Sequence, residues 1–349
     1  MPSTEKLDTH HKALTLNLDT STFGSFAEIG AGQEVARWFL VVGGASGTVA
    51  KTISAYDKEV SDDLYGSGSR YVSRERLEAM LDHEWTELLS QLAETRGPQT
   101  RFFSFVDTVS ARNFAGTNDP HGWIGLRFQL QPGGPPHDVL LHINMLDPSN
   151  VLQQEAIGIL GVNLIYTAFY ALQTKESFLE GLAQDVVEER IEIDYVDLRG
   201  PAFERWDRRT LLAHLVSAGL SDAVFFPSKG PTVPPTEALY KKAVVLAPGY
   251  FGHVDPDHTQ VHTRLLASAI QELRNARWLF LPDSCFVHAE RTGSGDPRLA
   301  SSHRCPSRLW RRRAAFSPTR ALPYDGSRES LHKSTSAFRR RSFPDHSSV

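Results

Sequence analysis

The sequence predicts an α/β protein, with an α+β N-terminal region built around a β-hairpin and a C-terminal βαβ-type parallel sheet that is left incomplete. Three observations carry this. Apolar residues alternate at Ile124, Leu126, Phe128 and Leu130, and again at Val139, Leu141, Ile143 and Met145, around a Gly/Pro loop at 132–136. That is the period-2 pattern of a hairpin with one buried face. Leu77, Met80, Leu81, Trp85, Leu88 and Leu92 recur at three- and four-residue steps, the stripe of an amphipathic helix. Further on, the apolar run 243–247, a loop, a helix opening at His258 or Thr259 and running to Arg274, and a strand at 278–281 follow the order of a βαβ unit, which implies a parallel strand pair.

The remaining elements follow in chain order. Residues 34–42 have helical spacing, Gly43-Gly44 breaks the pattern, and 47–56 fits a second short helix. Ser73 is placed to cap the amphipathic helix, with Glu75 in its first turn and Gly97-Pro98 ending it. Residues 101–109 and 191–198 are strands. Asn150 is placed to cap a long apolar helix, a more polar helix spans 176–189, and 209–218 is helical. A short strand at 223–226 and a Pro/Thr loop at 231–235 lead into the βαβ unit. The expected organisation is a disordered N-terminus at 1–13, an α+β domain at 14–200, a partial Rossmann-like domain at 201–284, and a disordered Arg/Ser-rich tail at 285–349.

Composition narrows the function classes. The 349 residues are 40% hydrophobic and 22% charged, with a formal net charge of -4. These values exclude a wholly disordered, collagen-like or multi-span membrane chain, and the total charge points to no specific nucleic-acid partner and no anionic membrane. Cys285 and Cys305 are the two cysteines, too few for a disulfide framework and without a CxxC pair. Residues 1–11 lack the apolar segment of a signal peptide. The most apolar run, 156–172, contains Asn163, Tyr166, Thr167 and Tyr170 and suits a buried helix better than a membrane span. A cytoplasmic location follows as the expectation.

The charge is uneven. Residues 289–349 hold 12 Arg and one Lys against five acids, with 12 Ser and no Ile. Too little aliphatic surface is present to offset ordering entropy. Three readings compete: a shifted reading frame, which fits the abrupt change after Pro282 best, a plain disordered tail, and a basic binding arm.

Two constellations bear on chemistry. The first is Glu28-Ile29-Gly30-Ala31-Gly32, which looks like the Glu-x-Gly-x-Gly start of the S-adenosylmethionine loop in class I methyltransferases. Glu34 stands at the third glycine position, and Phe23-Gly24-Ser25-Phe26 reads as too short and too Gly-broken for a buried first strand. A Gly turn at a helix start is therefore expected, with no methyl-donor site.

The second runs from Gly249 to His262, between the apolar strand and its helix. Gly249 and Phe251 would shape a tight turn. His253, His258 and His262 offer nitrogens that protonate near neutral pH, and a helix N-terminus at His258 would present amides to a phosphate. The arrangement is similar to the Gly-x-Phe-x-Pro…His-x-x-His loop of nucleotidyltransferases in the nicotinate-mononucleotide adenylyltransferase superfamily. Here two residues, Gly252 and His253, are inserted, and the closing pair is spaced His-x-x-x-His. On that likeness His258 and His262 are the candidate catalytic residues and Gly249, Phe251 and His253 the nucleotide-binding ones, with ATP and Mg as the accompanying small molecules. The residues alone equally fit a polar surface loop. Asp255 or Asp257 with His258 and His262 could also ligate a metal, although a solvated His/Asp loop explains them and no metal site is assigned. Arg127 and His142, at alternating hairpin positions, could face a ligand or occupy a solvated sheet face. Capping accounts for Gln153, Gln154 and Glu155. No Walker loop and no Gly-x-Ser-x-Gly elbow is present.

The runs 16–20, 26–39, 50–57, 153–166 and 239–242 together resemble a bacterial family of uncharacterised cytosolic proteins over about residues 14–277. Its members go under two names, nicotinate-nucleotide adenylyltransferase and TonB-dependent receptor. The receptor name conflicts with the lack of an array of about ten-residue alternating strands. The other implies a nucleotide-binding, adenylyltransferase-like protein. In relatives the loop at Gly249 is closer to Gly-Ser-Phe-x-Pro-x-Thr, and the chain continues as α/β sequence where this one turns Arg/Ser-rich. The resemblance thus implies weak or absent catalysis here and a frameshifted or truncated C-terminus. A non-catalytic scaffold is the alternative, and a methyltransferase the third reading.

Overall fold

A six-stranded mixed sheet organises the computed structural model, which describes residues 7–30, 33–186, 190–221 and 233–234. Its order is β2 (Val49–Ile53), β1 (Thr22–Gly30), β3 (Arg101–Ser110), β4 (His121–Gln129), β5 (Pro136–Met145) and β6 (Ile191–Arg199). The first three strands are parallel to one another, and each later pair is antiparallel. The α/β class expected from the sequence is therefore present, and the hairpin is where the alternation put it. Ile124 pairs with Leu141 and Leu126 with Val139, so both apolar sets face one way, into the main core.

Two helical layers cover the sheet. On one face lie α1 (Thr9–Leu18), α2 (Glu34–Val41), α5 (Asn150–Tyr170), α6 (Lys175–Ala183) and α7 (Arg208–Ser217). On the other lie α3 (Lys58–Tyr65) and α4 (Arg74–Leu92). The strand period divides the core between them. Phe26 packs with Phe39 of α2, while its neighbour Ala27 shares a cluster with Leu77 and Met80 of α4. Helix α5 can press against α2 because two of its residues lack side chains. A Cβ at Gly161 would lie 2.3 Å from Val35, and one at Gly158 would lie 2.9 Å from Glu34. No described helix is long and apolar enough to cross a membrane.

Four expectations change. Residues 47–56 do not form the expected helix: β2 occupies the middle half of that span, beside β1. Val49, Thr52 and Ile53 are β-branched and suit a pleated edge, and tertiary pairing outweighs the local spacing. The segment containing Phe23 to Phe26 is not too broken for a strand, because it lies in β1, buried along its length. Gly24 is required there: a Cβ would sit 2.3 Å from the Phe103 carbonyl oxygen, with the Phe103 ring 2.6 Å away. A strand glycine marks such a close approach. Residues 9–13, expected to be disordered, form the first part of α1. The parallel strands described lie N-terminal, at β2-β1-β3, whereas the βαβ unit expected at 243–281 and the tail at 285–349 fall outside the described residues.

Helix starts obey local chemistry with one exception. Asp8, Asp57, Ser73, Ser149, Thr174 and Asp207 each accept a backbone N–H at the start of their helix, worth about 1 kcal/mol apiece. Ser73 acts as expected, and Ser149 rather than Asn150 caps α5. At α2 the N-cap Gln33 makes no such bond.

Phe128 is fully buried among aromatic rings. Phe128→Asp is expected to lose more than about 3 kcal/mol of unfolding free energy, because it strands a charge in the core; Phe128→Leu should lose less than half as much. Gly161→Ala should lose about 1–3 kcal/mol by overpacking Val35. Urea unfolding of each variant checks all three.

Candidate functional site

The hydrogen-bonding register brings chemistry to the end of the sheet where the parallel strands terminate. Gly30 of β1 aligns with Val109 of β3, Val109 with Gly122 of β4, Gly122 with Ile143 of β5, and Ile143 with Ile193 of β6. Open α/β sheets place ligands beyond the carboxyl ends of such strands. Two polar groupings occur at this end, one on each face.

On the α4 side, three side chains form a chain. His121 opens β4, and His142 lies two register positions in on β5, opposite Trp123. The β5–β6 pairing jumps from His142–Tyr195 to Ile143–Ile193, leaving Asp194 as an extra residue in a bulge. A bulge re-aims a side chain in this way. Asp194 Oδ1 lies 2.6 Å from His142 Nδ1, and His142 Nε2 lies 3.3 Å from His121 Nδ1. Asn144 Nδ2 donates to Asp194 Oδ2 at 3.0 Å and to Glu192 Oε2 at 3.3 Å. Trp123 lies edge-on to His142 at 5.0 Å. His142 and Asp194 are buried and His121 is half-buried.

These contacts set the tautomers. An ionised Asp194 only accepts hydrogen bonds, so His142 donates from Nδ1 and keeps an acceptor at Nε2. That acceptor takes the Nδ1 proton of a neutral His121, which leaves His121 Nε2 with a lone pair. Burial above all, and then the neighbouring His142, pulls His121 down to about 4. His121 is thus neutral at pH 7, with a free lone pair but a weaker basicity than an ordinary imidazole, and a proton taken at Nε2 can be balanced by passing the Nδ1 proton to His142, against Asp194. The relay permits general-base chemistry.

On the opposite face, Glu28 of β1 and Asp107 of β3 are register partners, both buried. Glu28 supplies the cap that Gln33 lacks: its Oε1 accepts the Val35 N–H at 2.9 Å and its Oε2 the Ala36 N–H at 3.1 Å. Gly30, at φ +85°, makes the turn into the helix, and a Cβ there would lie 2.0 Å from the Val109 carbonyl oxygen. The Glu-x-Gly-x-Gly resemblance therefore does follow a buried strand, but both oxygens of its acid are committed to helix amides. The carboxyl ends of β1 and β2 lead to helices on opposite faces, and Gln33 Nε2 bridges that crevice to Ser54 Oγ at 2.7 Å.

Gly249, Phe251, His253, His258 and His262 lie outside the described residues, as do Asp255 and Asp257. His142 and Arg127 do not occupy a solvated sheet face. Arg127 grips Asp138 with Nε at 2.7 Å and Nη2 at 2.9 Å, and reaches Asp82 of α4. Gln153 does not cap: it accepts the Arg112 amide and donates to the Asp147 carbonyl oxygen, tying two loops. His121, Asp194, Glu28 and Asp107 acquire their roles only through strand register. The one sequence signal was polar residues among the alternating apolar positions. A shallow groove of about 200 Å³, lined by Phe23, Lys51, Glu84, Glu87 and Arg96 among others, lies toward the other end of β1.

No protein-family model matches this chain, and no curated protein matches it. Among solved structures it is similar to the competence/damage inducible protein CihA from Agrobacterium tumefaciens, at 18% identity and a TM-score of 0.32, over 49% of this chain and 99% of that one. It is also similar to the competence damage-inducible protein A (ComA) from Klebsiella pneumoniae, at 12% identity and a TM-score of 0.32, over 46% and 94%. A third is a competence-damaged protein (CinA) superfamily protein from Enterobacter cloacae, at 11% identity and a TM-score of 0.33, over 48% and 96%. The residues above are assigned from geometry alone.

His121 binds its proton more weakly folded, at about 4, than at the ordinary value of 6.5. Its stabilising contribution is therefore complete above pH 6.5 and is lost as pH falls toward 4. NMR of the ring is expected to show neutral His121 at pH 5. Between pH 7 and pH 4.5 the wild type should lose stability relative to His121→Gln.

Proposed function

We propose that this protein is a nucleotide-handling enzyme in which His121 acts as general base. The hydrogen-bonded chain from His121 through His142 to Asp194, at the carboxyl ends of the parallel strands, is the observation that carries the reading. In this reading His121 Nε2 takes the proton from the attacking phosphate of the mononucleotide as that oxygen bonds to the α-phosphorus of ATP and pyrophosphate leaves, while His142 and Asp194 position the ring and absorb the positive charge. The nucleotide half rests on sequence: Gly249, Phe251 and His253 would shape the binding loop, His258 and His262 would contact phosphate, and an adenylyltransferase-like reaction would take ATP, with Mg as its metal ion, and a mononucleotide as acceptor.

A non-catalytic scaffold is the second reading. It is favoured by the burial of His142 and Asp194 beneath Trp123, since a satisfied buried polar chain also serves to fix strand register.

The test pairs binding with turnover. ATP and nicotinate mononucleotide are titrated to millimolar concentration while NMR signals of Gly249, His121, His258 and His262 are followed, and ³¹P NMR follows product with Mg present. Perturbation at these residues, with a turnover that falls about 10²–10⁴-fold in His121→Gln, is the expected outcome. No perturbation and no product leaves the scaffold. Perturbation with turnover indifferent to His121 removes the general-base assignment.

A further inference from the structure

Glu28 and Asp107 face each other across the β1–β3 pair as direct register partners, 2% and 0% exposed. Glu28 spends both oxygens on the Val35 and Ala36 amides, the second and third residues of α2. Asp107 has no partner of ordinary hydrogen-bond geometry for either buried oxygen, and the Ile29 backbone N–H is the donor near enough to favour its charged form, to a lesser extent than burial opposes it. A fully buried carboxylate with empty lone pairs, beside a second carboxylate, is not a stable charged state.

Among the described residues the surroundings offer no cation. On β4, Asp107's register partner is the apolar Ile124. From α5, Gly158 and Gly161 approach Glu34, Trp38, Val35 and Phe105. From α2 the charged neighbour is Glu34, which adds negative potential. Ala31 and Gly32, which lie outside the described residues, are uncharged in sequence. Burial, followed by the charge of Glu28, raises Asp107 well above the carboxylate range. Burial likewise carries Glu28 up to about 7, against the lowering effect of its two amide partners.

We propose that Glu28 and Asp107 hold one proton between them and that this proton latches the N-terminus of α2 to the centre of the sheet. With the proton on Asp107, Glu28 remains ionised and complements the partial positive charge of the helix start. When the proton leaves, two buried negative charges oppose each other, and the group able to withdraw is Glu28 together with the helix turn it holds. Gln33, beside that turn, spans the crevice to Ser54, so release would open the mouth between β1 and β2. Because the folded state binds this proton more tightly than the unfolded chain, its contribution is complete below about pH 4.5 and is lost as pH rises through about 7. The His121 effect runs the opposite way and ends by pH 6.5.

The full chain is tested by following the ¹³C carboxyl shifts of Glu28 and Asp107, and amide hydrogen exchange at Val35 and Ala36, from pH 4 to 8.5. The expected result is a protonated carboxyl shift on Asp107 through pH 6.5. Exchange at Val35 and Ala36 should then rise about tenfold more than that of the remaining core amides as pH goes from 6.5 to 8.5, the equivalent of one unit of pKa difference. In Asp107→Asn that excess should vanish. Titration of both carboxyls below pH 5, or exchange at α2 that tracks the rest of the core, overturns the latch. If Asp107→Asn does not fold, the wild-type shifts decide.

Discussion

The grip of Glu28 on the first amides of α2 is the interaction on which the described architecture turns. A helix start leaves its first N–H groups without intrahelical partners, and elsewhere in this fold a side chain one residue upstream supplies the acceptor. At α2 the acceptor comes instead from a central strand, so the helix is tied to the sheet rather than to its own loop. That tie fixes where Val35, Ala36 and Phe39 enter the core. It also fixes where α5 must run, because Gly158 and Gly161 are shaped to the surface α2 presents. A buried carboxylate next to Asp107 is costly to hold, and this helix is positioned by a charge that the interior tolerates only under a proton.

The two faces of the sheet divide the work. The face under α2 and α5 is an aromatic and aliphatic core, with Phe26, Phe103, Phe105 and Phe128 buried together. The face under α4 turns polar toward β5 and β6, where Arg74, Arg199 and Arg208 converge on Asp197 and Arg127 holds Asp138. Buried charges are retained only when paired and hydrogen-bonded, and these pairs supply the polar surroundings in which His142 and Asp194 can be placed beneath Trp123. The bulge at Asp194 is the decisive detail, because a regular β5–β6 ladder would not bring its carboxylate to His142.

Both groupings lie at the same end of the strands, one on each face, and one mechanical link joins them. β3 carries Asp107 on one side and pairs with β4, which carries His121, on the other. A change at the α2 start is therefore separated from the histidine chain by a single strand.

The sequence by itself determined the elements whose signal is local and periodic. The alternation at Ile124–Leu130 and Val139–Met145 marked a hairpin with one apolar face, although the structure buries its other face as well, the three- and four-residue steps from Leu77 to Leu92 could only be a helix, and Ser73 announced its own cap. These follow from side-chain spacing along one segment. What only the tertiary structure decided is everything that depends on two distant segments meeting. Gly24 reads as a strand breaker until Phe103 is laid over it, and residues 47–56 read as helical until they pair with β1. Glu28 reads as part of a Gly turn at a helix start, and only α2 folding back onto it turns its two oxygens into that helix's cap. Asp194 and His121 are unremarkable polar residues until a bulge and a register bring them to either side of His142. Register is set by long-range pairing and packing, and a shift of one residue sends every side chain to the opposite face, so no local pattern can contain it.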